Sequence, residues 1–335
     1  MTQPLVDIHA HLAGFGDGSP CRVSERMSRS LVFRVLKWKL GLKEGTGADL
    51  KYAATLASMA SEAGVEAVAL GMDAVVDAQG REDWNRTHLY VPAEHVFAMC
   101  REHPSLLPGV SLNPLRRDAV DRLENYAEQG AVLVKWLPNL QQFNPADMRC
   151  LPFYKALSRL GIPLLAHTGC EHTFPDMDQT LGMAELYERA LEEGVTVVMS
   201  HCGAACPLHR HADARKGILR LMARHANLMA DTSALSSLLK FRHLTGLADF
   251  PFPERLVQGS DYPIPGFAMP YAPRIGWSRA FRFELMANPI DKDLKVKEAL
   301  NVLQATRERS GSVIAKGLQR WREKNRVPEK FSVPN

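Results

Sequence analysis

Two short stretches of the sequence concentrate side chains that can bind a metal or move a proton. MSHCGAACPLHRH, residues 199–211, packs three histidines and two cysteines together, and DIHAHL, from Asp7, places His9 and His11 two residues apart. Cys and His at close spacing are the usual zinc-ligand types, so residues 199–211 read in two ways. They form a self-contained zinc knuckle, or they lend one side chain to a larger site built from distant segments. The position of each residue in the fold decides between the two.

Short apolar, β-branched runs recur along the chain. They are PLVDIHA from Pro4, VEAVALGM from Val65, LLPGVSL from Leu106, AVLVKWL from Ala131, IPLLAHT from Ile162, VTVVMSH from Val195, NLMADTS from Asn227 and RLVQGSD from Arg255. Near-continuous apolar runs fit strands buried on both faces, as in a parallel sheet. Helical stretches such as RDAVDRLENYAEQG, FYKALSRLG and MAELYERALEEG lie between them, each ending in Gly before the next run. Eight strand–helix alternations predict an α/β fold, a (β/α)8 TIM barrel. The rival is a doubly wound open sheet, but no GxGxxG follows the first strand. Residues 13–47 read as a long, lid-like β1–α1 insertion, and 73–94 extend the second connection. Residues 288–335 read as extra C-terminal helices, among them GSVIAKGLQRWREKN, packed on the outside. None resembles a separate unit, so 1–335 is expected to be a single barrel domain.

Bulk composition narrows the function classes. A chain of 335 residues that is 46% hydrophobic and 23% charged is ordinary for a soluble globular protein. A net charge of +4 makes no global case for nucleic-acid binding. Six cysteines without a CxxC are too sparse for a disulfide framework at this length. The N-terminus lacks the basic and apolar regions of a signal peptide, and no uncharged run approaches the roughly 18 residues of a spanning helix. The expectation is a cytoplasmic protein with reduced thiols and neither a membrane nor a nucleic-acid partner. Homo-oligomerisation is left open.

In a barrel the C-terminal strand ends form the active-site face. Read in order, those ends carry His9 and His11, then Lys135, His167, His201 and Asp261. Each closes an apolar run that otherwise tolerates almost nothing polar. Buried charges are costly unless paired or metal-bound, so such a ring asks for a cation. His9 and His11, two apart on one strand, share a face and can converge on one ion. The plain alternative is a set of core histidines in ordinary hydrogen bonds. It serves for any one of them and poorly for all together.

With DIHAHL, LLAHTG, MSHCG and QGSDYP in place, the chain resembles the amidohydrolase superfamily up to Asp261. It is most similar to the metal-dependent hydrolase branch labelled amidohydrolase-2, which also contains decarboxylases. The resemblance implies that His9, His11, His167 and Asp261 hold a divalent metal, zinc first and manganese second. It leaves His201 either on a second metal or as an acid/base beside the first. Zinc with an open position lowers the pKa of bound water to about 7, and the hydroxide attacks a carbonyl. Asp261 can accept the water proton and pass it to the leaving group.

On this reading the histidine-rich stretch supplies His201 alone. Cys202 has the opposite strand parity, and Cys206, His209 and His211 fall in the following loop. Glu171 and His172, in HTGCEH, lie over the predicted mouth, and Asp7, one level below His9, either orients a ligand or makes a plain buried hydrogen bond. In the 13–47 insertion, Leu31, Val32, Val35 and Leu36 share one helical side. The basic set Arg22, Arg26, Arg29, Arg34 and Lys37 would favour an anionic substrate if the segment covers the site.

Lys135 has three readings. In binuclear amidohydrolases the strand-4 lysine is carboxylated and bridges two metals, and KWLP resembles that placement. Otherwise it stays cationic and grips a substrate carboxylate, or it forms a structural ion pair, with Asp73 as the candidate. The expected function is a metal-dependent hydrolase of an ester, lactone or amide bond in a small substrate, with a carboxylate favoured. A metal-dependent non-oxidative decarboxylase and a catalytically silent metal-binding barrel are the competitors.

Overall fold

The computed structural model describes residues 5–39, 41, 47–169, 177–204, 214–306 and 309–325. Eight parallel strands follow one another around a barrel: β1 (Leu5–His11), β2 (Val65–Leu70), β3 (Leu106–Ser111), β4 (Leu133–Trp136), β5 (Leu164–Ala166), β6 (Val197–Met199), β7 (Leu228–Asp231) and β8 (Leu256–Val257). Sequence order equals spatial order, as right-handed strand–helix–strand crossovers dictate. Across the seam, Ile8 N donates to Gln258 O at 3.0 Å and His11 N to Tyr262 O at 2.8 Å. The barrel expectation holds.

The strands are buried almost throughout, which is why their sequences read as apolar runs instead of alternating patterns. Helices cover them, including Ala48–Glu62, Ala119–Gln129, Leu151–Leu160 and Arg215–Arg224. The predicted glycine stops are real. Gly130 and Gly161 sit at φ 94° and 63°, a left-handed conformation that ends the helix and that side-chain-bearing residues rarely adopt. The C-terminal segments also pack as expected. Arg309–Val313 lies against β1, where Ser310 Oγ accepts from Gln258 N at 2.7 Å. Ala315–Lys324 seats Gly317 on the backbone of Ala131 and Val132, where the chain enters β4.

The two expected insertions are tied to each other. Arg22–Val23 pairs antiparallel with Leu89–Tyr90, and the Arg22 guanidinium lies 4.3 Å from the Trp84 ring centre. Leu31–Lys39 is helical, as predicted. Leu31 and Val35 are 74% and 47% exposed, while Phe33 is buried against Phe15 at a ring separation of 4.9 Å. The buried aromatic pair anchors this helix. The side chains of Val32 and Leu36 lie outside those described.

Asp73 corrects another expectation. It does not pair with Lys135; both its oxygens bind Arg116, at 2.7 Å each, and Glu82 adds a third contact at 2.7 Å. Asp73 Oδ2 also accepts from Asn113 N, fastening the second insertion to the chain after β3. Asp73 and Arg116 are both nearly inaccessible, so removing one partner strands a buried charge. Arg116→Leu is expected to cost about 3–5 kcal/mol, read as a lowered denaturant midpoint. Glu82→Gln, at the half-open edge, should cost under about 1 kcal/mol. Equal losses would show that the buried pair is not the anchor.

Candidate metal centre

The polar strand ends converge at the C-terminal mouth of the barrel. His9 Nε2 lies 3.2 Å from His11 Nε2 and 3.2 Å from Asp261 Oδ1, and His11 Nε2 lies 3.5 Å from the same oxygen. Two ligands on one tetrahedral zinc at its usual bond lengths stand about 3.3 Å apart. These three donor atoms therefore have the mutual spacing a single small cation needs. His201 Nε2 faces them at 3.9 Å from Asp261 Oδ2. The His167 ring meets that of His201 edge-on at 5.3 Å. The seat of His9 depends on a small neighbour: a Cβ at Gly259 would stand 2.8 Å from that of His9.

Strand geometry alone does not deliver His201 and Asp261. Each lies just past its strand in the left-handed region, His201 at φ 59° and Asp261 at φ 66°, which costs a non-glycine residue about 1–3 kcal/mol. Short hydrogen bonds hold them there. His201 N donates to Asp231 Oδ1 at 2.7 Å, and Asp261 N donates to His9 O at 2.7 Å. Cys202 shares the left-handed turn at φ 50° and donates its thiol to Asp231 O, so turn geometry, not strand parity, directs it away from the cluster.

Asp231, at the end of β7, is the residue the sequence reading passed over. Its Oδ2 lies 2.7 Å from His9 Nδ1, while Oδ1 accepts from His201 N, Ser233 N and Ser233 Oγ. Holding Nδ1 of His9 in this way leaves the Nε2 lone pair turned toward His11 and Asp261, the arrangement that orients a metal-ligating histidine. His201 is held likewise, with Nδ1 at 3.0 Å from Ser233 O, a group that can only accept. Its Nε2 therefore presents a lone pair. Two groups of three donors cluster tightly among the described residues: His9, His11 and Asp261, and His9, His201 and Asp231. The second group already spends its carboxylate on hydrogen bonds; the first turns its three donor atoms toward one another.

Electrostatics favours neutral imidazoles. Burial, reinforced by the Lys135 ammonium, lowers His9 to about 4, against the pull of Asp261 and Asp231. Burial, with Lys135 and then Lys240, drives His167 well below its ordinary value, and burial with Lys240 does the same to His201. Burial alone would raise Asp261, but His9, His11 and Lys135 together hold it below the usual carboxylate range. Near neutral pH His9, His167 and His201 thus offer unprotonated nitrogens and Asp261 an ionised carboxylate, the forms a metal binds.

Lys135, on β4, enters the same cluster. Its Nζ lies 3.2 Å from His9 Nε2 and donates to Ser200 Oγ at 3.1 Å. Asp7 accepts from His9 N and Ser260 N, joining β1 to the chain beyond β8, and burial pushes it up to about 6. It makes the plain buried hydrogen bonds. The four expected strand-end histidines, Lys135 and Asp261 are all brought to one mouth. Glu171, His172, Cys206, His209 and His211 lie outside the described residues.

The sequence pattern of the amidohydrolase family matches residues 6–301. The chain belongs to this family. It is an enzyme of the amidohydrolase superfamily, whose members are metal-dependent, and its mouth carries candidate ligand groups. No curated protein matches the sequence significantly. Among solved structures, this amidohydrolase resembles an uncharacterized TIM-barrel protein from Bordetella bronchiseptica, at 17% identity and a TM-score of 0.60, over 93% of this chain and 99% of that one. It also resembles a probable 2-pyrone-4,6-dicarboxylic acid hydrolase from Acinetobacter baumannii with citric acid bound, at 13% identity and a TM-score of 0.57, over 93% and 100%. At such identities the likeness establishes the barrel fold. No helix among the described residues of the amidohydrolase is long and apolar enough to cross a membrane.

Proposed function

We propose that this amidohydrolase is a metal-dependent hydrolase that adds water across an ester, lactone or amide bond of a small substrate. The observation that carries the reading is the set of three mutually facing donor atoms on His9, His11 and Asp261, spaced at 3.2–3.5 Å and backed by Asp231. These three residues would hold the ion, zinc first and manganese second, with His167 and His201 on its flank. A divalent ion there supplies Lewis acidity, acidifying water and polarising a carbonyl.

The chain's own groups handle the protons. Asp261, ionised and partly open to the mouth, takes a proton at its carboxylate from the attacking water and returns it to the leaving group. His201, with its Nε2 lone pair turned inward, accepts a hydrogen bond and orients that water. Lys135 stands too close to the His9 nitrogen to remain a bare ammonium beside a bound cation, which favours carboxylation to an anionic ligand when the site is loaded.

The test is a metal-stripped enzyme reloaded with zinc or manganese, with and without bicarbonate, and assayed on lactones, esters, amides and aromatic acids. Hydrolysis that vanishes on chelation and returns with metal is the expected result. A bicarbonate-dependent rise in metal content, lost in Lys135→Ala, supports the modified lysine. Activity that survives complete chelation would overturn the metal reading. Carbon dioxide release without water consumption would replace hydrolysis by decarboxylation, and no turnover of any class would leave a silent metal-binding barrel.

A further inference from the structure

The turn that presents Asp261 begins at a glycine. Gly259 is required there, because a Cβ would stand 2.8 Å from that of His9 and 3.1 Å from that of Ser233. Glycine also has the greatest backbone freedom of any residue, and this one lies two positions before a carboxylate on which the metal centre depends. Close packing against His9 thus puts the loosest residue where the chain most needs to be fixed.

The helix Pro289–Ala299 supplies the restraint. Lys297 and Asp293, one turn apart on it, are both buried and pair at 2.6 Å. Lys297 Nζ also donates to Gly259 O at 2.7 Å. Asp293 Oδ1 accepts from Ser236 Oγ at 2.7 Å, and its Oδ2 accepts from Gln258 Nε2 at 3.2 Å. Gln258 Oε1 in turn accepts from Thr232 Oγ1 at 3.1 Å. One ion pair therefore grips the chain leaving β7, just beyond Asp231, and the chain leaving β8, just before Asp261. Past Gly259, Ser260 N donates to Asp7 Oδ1 and Asp261 N to His9 O, so the turn is fastened at successive residues. A buried pair of this kind adds little net stability, because desolvation offsets its attraction. What it fixes here is the position of a carbonyl and two polar side chains.

We propose that Lys297 is a positioning residue for Asp261: through the Gly259 carbonyl it fixes the turn that aims this carboxylate at His9 and His11. Its ammonium is spent on Gly259 and Asp293, so it acts through the backbone. The inference rests on the metal centre proposed above and not on the reaction run there.

Metal binding tests this without turnover. Lys297→Met alone would leave Asp293 charged and unpaired, so the informative variant is Lys297→Met/Asp293→Asn, which removes both charges at nearly constant volume. Zinc affinity is measured by competition with a chelator for full-length wild type, this neutral-pair variant, Asp261→Asn and the combination of all three substitutions. The denaturant midpoint of each metal-free protein is measured alongside. The neutral pair should weaken zinc by about tenfold, the lower end of what outer partners of metal ligands contribute, with a midpoint close to wild type. In the Asp261→Asn background the same change should cost less than about twofold, because the carboxylate that the turn positions is gone. Zinc affinity unchanged by the neutral pair would overturn the proposal. So would an equal loss with and without the Asp261 carboxylate, which marks a general softening of the fold. A neutral-pair variant that is unfolded without metal would overturn it too, since the pair would then be holding the fold. Wild type that holds no zinc would remove the metal centre and this role with it, whereas a failure of hydrolysis alone touches neither measurement.

Discussion

Asp261→Asn is expected to lower turnover by about 10²- to 10⁴-fold, the usual contribution of a positioned general acid–base group. Asp261 is the hub of the centre, with one carboxylate oxygen 3.2 Å from His9 and 3.5 Å from His11 and the other 3.9 Å from His201. An amide keeps the shape and one oxygen, so the left-handed turn and the hydrogen bond from Asp261 N to His9 O should survive. What disappears is the anionic charge and the ability to take a proton. Turnover is to be measured at saturating metal, so that weaker ion binding does not pass for lost chemistry. A loss smaller than tenfold under those conditions would remove Asp261 from proton transfer.

The second large effect concerns metal retention. His9→Ala deletes a donor and leaves Asp231, fully buried, without the partner of its Oδ2. Bound metal after gel filtration should fall to background by elemental analysis. Asp231→Asn is the instructive companion. It leaves all donor atoms of the open cluster in place but weakens the grip on His9 Nδ1, and partners of this kind are worth about 10- to 100-fold in metal affinity. Competition with a chelator reads that difference. Two outcomes sink the assignment: metal unchanged in His9→Ala, or Asp231→Asn losing the ion as completely as His9→Ala does. The latter would make Asp231 a ligand and shift the ion to the other side of the His9 ring.

Much of this site was legible in one dimension, for a physical reason. A strand buried on both faces excludes polar side chains, so a His, Lys or Asp closing such a run stands out. In a barrel, all such positions lie on one rim. His9, His11, Lys135, His167, His201 and Asp261 were found by that rule, and the period of the strand put His9 and His11 on one face. Asp231 obeys the same rule in NLMADTS and was overlooked, although its signal equals that of Lys135. The partner of Asp73 was not legible, because Arg116 lies 43 positions away and nothing local links the two.

Other features belong to the tertiary structure alone. Helical periodicity in residues 31–39 shows which side chains share a side, but the burial of Phe33 against Phe15 depends on a neighbour from outside the helix. The left-handed turns at His201 and Asp261 are held by Asp231 and by the His9 carbonyl, contacts from remote strands that overcome a local preference against that conformation. The order and polarity of the strands were thus determined by the sequence, because burial is written in hydrophobicity. Which way a loop residue points was decided by the assembled barrel, because that depends on neighbours the chain meets only once folded.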